Sequence, residues 1–179
     1  PTVFYNKEKG VRCVVHGDDF TFTGRRKVLL EVSAQLKETY ELKVRGLMGD
    51  EPGDDKDIVI LNRTRWWTED GLQYRADDTP VREILKHFGL DENSKGLNAA
   101  IAKELMAEDD MAGEEMGSAE SKEYRAMAAR ANHLALDRPD IQYAAKEICR
   151  DMSKPTTKSV AKLKRLARYL LEYSQTVIV

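Results

Sequence analysis

Two β-prone runs, residues 11–15 and 20–23, are separated only by His16-Gly17-Asp18-Asp19. A link that short admits an antiparallel hairpin, because parallel strands need a crossover of about a dozen residues or more. Residues 2–5 are also β-prone, and the polar stretch 6–10 ends in glycine. A first hairpin therefore precedes the second, and three short antiparallel strands are expected before Gly24.

Beyond Gly24 the period changes. Leu29, Val32, Leu36 and Tyr40 recur at steps of three and four, opposite Glu31, Lys37 and Glu38, which predicts a helix packed on the sheet. Residues 41–45 alternate, and 49–57 make an acidic Gly/Pro loop. The run 58–67 is β-prone, and Asp70-Gly71 turns the chain back into 72–74, a further hairpin. Thr79-Pro80 opens a helix with the stripe Val81, Ile84, Leu85 and Phe88, which Gly89 closes.

Between Glu104 and Ser121 there is no Lys or Arg, while seven acids and two glycines fall in that window. Such a stretch reads as a mobile linker. After it the pattern is helical throughout. Tyr124, Met127, Ala131 and Leu134 mark one helix, and Ile141, Ala144, Ile148 and Met152 a second after Asp137-Arg138-Pro139. A third spans 157–173, with Val160, Leu163, Ala167, Leu170 and Leu171 inward. The fold class expected is α+β, an antiparallel sheet with packed helices followed by a helical subdomain. The expected division is 1–103, an acidic linker at 104–121, and 122–179.

A length of 179 residues suits one domain or two small subdomains. With 29 Lys plus Arg against 31 Asp plus Glu, a chain that coats nucleic acid over its whole surface is disfavoured, and any such partner must meet a local basic face. Cys13 and Cys149 are far apart and lack metal-site spacing, so a reduced intracellular setting is expected rather than secretion. No apolar run approaches the roughly 20 residues of a membrane span, so no membrane partner is expected. The chain opens on Pro1 and closes on a β-branched run, 176–179; both ends read as cuts through a longer protein.

Asp18 and Asp19 place adjacent carboxylates at a hairpin tip, where their repulsion is relieved by protons or by cations. A divalent metal is the natural neutraliser, as in two-metal phosphoryl transfer. Gly17, lacking Cβ, tolerates positive φ and lets a substrate approach. Gly-Asp-Asp is also a common solvated turn, but that turn has no need of a strand as apolar as Cys13-Val14-Val15 before it.

The last helix carries Lys158, Lys162, Lys164, Arg165 and Arg168, with Lys154 just before it, and no acid falls between Lys154 and Arg168. A basic face of this kind neutralises phosphates, or else is a solvated exterior. Trp66 and Trp67 point to opposite faces of a strand, one packed and one open to a base or a cross-strand partner. His16, His87 and His133 have no ligand-like spacing, and no serine or cysteine has a positioned partner.

Taken in order, these features resemble the reverse transcriptase of copia-type LTR retrotransposons, in its second half. The stretch 14–20 with Thr23-Gly24 resembles that family's catalytic hairpin. Residues 36–40 with Leu42-Lys43-Val44-Arg45-Gly46 are similar to the helix and Lys-Asp-Leu-Gly region after it. Asp70-Gly71-Leu72-Gln73-Tyr74 and 84–89 resemble the next hairpin and helix. Tyr124-Arg125, Arg138-Pro139-Asp140-Ile141 with Tyr143-Ala144, and 164–170 resemble the closing blocks, the most specific group. The family's aromatic residue before the two aspartates is His16 here, and Gly17 gives a Gly-Asp-Asp that also resembles viral RNA-dependent RNA polymerases.

The resemblance runs from about residue 11 to 173. It implies the latter palm with its catalytic hairpin and then a thumb-like region, with Asp18 and Asp19 catalytic and metal-binding in a two-metal Mg2+ site whose third carboxylate lies upstream. It also implies that the helix 157–173 tracks the phosphates of an RNA or DNA template-primer duplex. Deoxynucleoside triphosphates would be substrates, the rest of a Pol polyprotein would lie upstream with an RNase H domain downstream, and the setting would be a cytoplasmic particle or the nucleus. The isolated fragment is expected to be inactive. The alternatives are a catalytically dead transposon remnant that only binds nucleic acid, and a viral-type RNA polymerase.

Overall fold

The computed structural model describes residues 2–102, 113–175 and 177–178. The fold is α+β, and the chain divides into two compact units, Pro1–Lys56 and Asp57–Val179.

In the first unit β1 (Val3–Asn6), β2 (Val11–His16) and β3 (Asp19–Thr23) form an antiparallel sheet in the order β1-β2-β3. His16 pairs with Asp19 and Val15 with Phe20, so the connection is a two-residue loop, Gly17 and Asp18. The chain then enters α1 (Arg26–Thr39). Leu29, Val32 and Leu36 are only half-buried and Tyr40 is exposed, so the predicted stripe is sheltered rather than enclosed. Val11 is the one fully buried apolar side chain of this unit among the described residues. The following loop is fastened to the start of α1 by a bidentate bond from Arg26 to the buried Asp54, 2.7 Å at its shortest. That guanidinium holds the Asp54 carboxyl below its ordinary range against the opposing effect of burial.

The second unit opens with a meander: β4 (Asp57–Ile60), β5 (Arg63–Thr68) and β6 (Gly71–Arg75), with β7 (Val177–Ile178) added antiparallel to β6. Four helices follow β6 and make the core: α2 (Thr79–His87), α3 (Ser118–Leu134), α4 (Gln142–Arg150) after a 3₁₀ turn Pro139–Ile141, and α5 (Thr157–Glu172). Ile84, Tyr124, Ile141, Ile148, Leu163, Leu166 and Leu170 are enclosed, and Ala128, Ala131, Ala144, Ala145 and Ala167 let the helix backbones approach closely. Tyr124 donates its hydroxyl to the Ile148 carbonyl at 2.7 Å, satisfying a polar tip inside that core.

The block 137–140 staples this unit. Asp137 takes the Arg63 guanidinium from β5 at 2.7 Å. Arg138 is 1% exposed; it grips Asp140 with two bonds, 2.9 and 2.7 Å, and donates to the carbonyls of Tyr173 and Ser174 just past the end of α5. Tyr169 donates to the same Asp140 carboxylate at 2.9 Å. One arginine thus satisfies the carbonyl of the C-cap residue and the next one, and ties the end of α5 to the turn before α4.

One expectation is corrected. The run 58–67 is two strands, because Leu61 (φ 51°) and Asn62 (φ 60°) make a two-residue left-handed turn. Leucine rarely adopts that conformation and gave no turn signal. By compactness the chain divides between residues 56 and 57, and α2, packed on α3 and α5, lies with the helices. The acidic linker lies partly outside the described residues; its described end, 113–121, is docked on 155–157 and leads into α3.

Candidate active site and nucleic-acid interface

In the first unit Gly17 has φ +62°, while Asp18, next to it, is not in the left-handed region. Positive φ at the first loop position alone is the requirement that glycine meets in a type II′ hairpin turn. A Cβ added at Gly17 would touch nothing within 4 Å, so backbone dihedral preference, not space, demands glycine there. The turn leaves Gly17 and Asp18 exposed and places Asp19 as the first residue of β3. Asp18 thus ends the loop and Asp19 begins the strand that follows it.

Sequence reasoning missed the partner of Asp19. Arg45 Nη2 stands 3.0 Å from Asp19 Oδ1, both side chains well exposed. Nothing in the spacing of residues 19 and 45 announces this pair. Among the described residues, no group of three or more His, Cys, Asp or Glu converges. The donors present are hard carboxylate oxygens, the class that Mg2+ takes, and Mg2+ is commonly held by one or two carboxylates completed by water and substrate phosphates. Asp18 and Asp19 fit part of such a site.

In the second unit α5 begins with a reciprocal capping box: Thr156 Oγ1 accepts from the Ser159 amide, and Ser159 Oγ accepts from the Thr156 amide. Helical spacing then sets the basic residues on the arc away from Leu163, Leu166 and Leu170. They are unequally available. Lys162 is drawn in, 13% exposed, by Asp151 at 2.9 Å. Lys154 pairs with Glu115. Arg168 Nε donates to the Lys95 carbonyl at 2.8 Å, which fastens the coil after α2 along this helix. Arg165 has its Nε buried without a hydrogen-bond partner, whereas Lys158 is half-buried. Lys164 is exposed.

Trp67 is 43% exposed beside Leu72, while on the opposite face Trp66 lies under the Arg75 guanidinium, 5.4 Å from the ring centre. Arg65, half-buried on β5, bonds to the Ile60 and Arg63 carbonyls; burial first, and then the neighbouring Arg63, lower its pKa. A cavity of about 340 Å³ opens between the ends of α2, α3 and α5, floored by Phe88, Tyr124 and Leu163 and rimmed by His87, Glu120 and Glu123. It shares no residue with the Gly17–Asp19 hairpin. Cys13 and Cys149 are free thiols that burial pushes up, which makes them poor nucleophiles. Among the described residues no helix is long and apolar enough to cross a membrane. No protein-family model, curated protein or solved structure matches the chain.

Proposed function

We propose that this chain is the later palm and a thumb-like region of a magnesium-dependent RNA-directed DNA polymerase of the copia retrotransposon type. The observation that supports the reading is the β2–β3 hairpin, whose two-residue loop with left-handed Gly17 puts Asp18 in the exposed loop and Asp19 at the start of β3. The ordered sequence blocks that follow it support the same assignment. In this reading Asp18 and Asp19 would hold Mg2+ together with a third carboxylate from upstream. The bound ions would activate the primer 3'-hydroxyl for attack on the α-phosphate of a deoxynucleoside triphosphate and stabilise the leaving pyrophosphate.

The protein's own contributions follow from its geometry. Gly17 supplies the left-handed turn that carries Asp18 and Asp19. Arg45 orients Asp19 until a cation takes the carboxylate or a phosphate takes the guanidinium. Lys164 offers positive charge to duplex phosphates along α5, and Lys154 does so once it leaves Glu115.

The test is primer extension on an RNA template by a chain that includes the upstream half. Asp18→Asn should abolish magnesium-dependent synthesis and leave duplex affinity within about twofold, since a tip carboxylate serves the reaction and not the phosphate grip. Retained synthesis refutes the metal role. The isolated 179-residue chain should not polymerise.

The second reading, a binding module descended from such an enzyme, is favoured by one observation: Asp19 is already neutralised by Arg45. Duplex binding without synthesis in the longer chain would select it. Preference for ribonucleotides over deoxynucleotides would select a viral-type RNA polymerase.

A further inference from the structure

We infer that the acidic strap 113–117 is an intramolecular substitute for phosphate: it occupies the N-terminal end of the basic helix α5, and a nucleic acid gains that end only by releasing it. The inference rests on the reading of α5 as a phosphate-tracking helix.

The strap lies antiparallel to the residues that start α5. Glu115 bridges Thr156, the Met116 amide donates to the Pro155 carbonyl at 3.4 Å, and the Thr157 amide donates to the Glu114 carbonyl at 3.2 Å. Thr157 is the first residue of α5, and its amide is one of those that a helix leaves without an internal acceptor. Gly113 makes the approach possible. A Cβ at that position would stand 2.7 Å from Thr156 Oγ1, 2.8 Å from Thr156 Cβ and 3.1 Å from the Lys158 amide nitrogen. The Glu115 carboxylate then pairs with Lys154.

An oxygen on an N-terminal helix amide and an anion on the adjacent lysine are the two interactions that a phosphate makes at such a helix end. The strap reproduces both with a carbonyl and a carboxylate. Its side-chain pair is weak, since Lys154 and Glu115 are 71% and 69% exposed. Its advantage is its covalent connection, which keeps its local concentration high. A polyanion with several contacts to the same face can displace it, and a single free phosphate cannot. On this account the acidic composition ahead of α3 sets a threshold for binding.

The experiment uses the full 179-residue chain and a fluorescent 20-base-pair RNA–DNA duplex, titrated at several salt concentrations. Glu115→Gln, a change at an exposed position, should tighten binding about two- to fivefold, the range expected when one exposed ion pair no longer competes. The salt slope should steepen by up to about 0.9, one added phosphate contact. In a Lys154→Gln background the same substitution should have no effect. Gly113→Val, which dislodges the strap by steric clash, should tighten binding as Glu115→Gln does. Unchanged or weaker binding by Glu115→Gln, or an equal gain without Lys154, overturns the inference while leaving the duplex reading intact. Absence of salt-dependent binding in every variant removes the duplex reading, and the strap's role with it.

Discussion

Replacing Arg138 tests whether the 137–140 block is held by the interactions described. Arg138→Ala deletes a side chain that is 1% exposed and removes two bonds to Asp140 and two to the Tyr173 and Ser174 carbonyls. Breaking a buried ion pair by removing one partner costs about 3–5 kcal/mol. Asp140 is 28% exposed and regains water, which places the loss at the lower end, about 3 kcal/mol, mostly from the vacated volume and the lost hydrogen bonds. Arg138→Lys keeps a charge but not the fork, and should lose about half as much. In urea unfolding followed by circular dichroism, a slope of about 2 kcal/mol/M turns 3 kcal/mol into a midpoint shift of about 1.5 M. A loss under about 1 kcal/mol for Arg138→Ala would refute the assignment, because that is the size of a solvated surface pair.

The same substitution has a pH signature. Burial raises the Asp140 pKa, but the bonds from Arg138 and Tyr169 outweigh it, and the net direction is down. A carboxylate with a depressed folded pKa contributes stability above its unfolded value, about 3.9, and that contribution is lost as pH falls through the folded value. The wild-type chain should therefore lose more stability than Arg138→Ala on acidification below about pH 4.

Two further outcomes are expected. Gly17→Ala should destabilise the β2–β3 hairpin by about 1–2 kcal/mol through its left-handed φ, with Gly17→Asn milder; faster amide exchange in β2 and β3 is the readout, and equal losses for both variants would contradict the dihedral argument. Tyr124→Phe should cost about 1 kcal/mol by removing the hydroxyl's bond to the Ile148 carbonyl, which keeps the Asp151 amide as its other donor. Because burial, foremost, raises the Tyr124 pKa above its ordinary value of 10, the neutral phenol is the folded form. Its stabilisation holds below that pH and falls as pH rises further, so the phenylalanine variant should show a flatter alkaline limb in thermal melts.

Much of this protein is legible in local sequence, since some of its features are set by nearest neighbours. The Gly17-Asp18 loop follows from two short β-prone runs with no room for a crossover, and the stripes of α3, α4 and α5 follow from apolar spacing at 3.6 residues. Both arise from what adjacent residues do to one backbone. The β4–β5 turn was illegible because Leu61 adopts a conformation that leucine seldom takes, held there by pairing on either side.

Long-range partners were decided by the tertiary structure alone. Sequence placed six basic residues around one helix, yet Asp151, Glu115 and the Lys95 carbonyl determine which of them are committed within the protein. Arg138-Pro139-Asp140 could be recognised as a block, but its work as a clamp on the end of α5 depends on carbonyls some 35 residues away. The pairing of Asp19 with Arg45 and the docking of Gly113 on Thr156 have the same origin. Periodicity records which side of an element is apolar; it carries no information about which distant group arrives to meet the other side, and only the folded chain brings the two together.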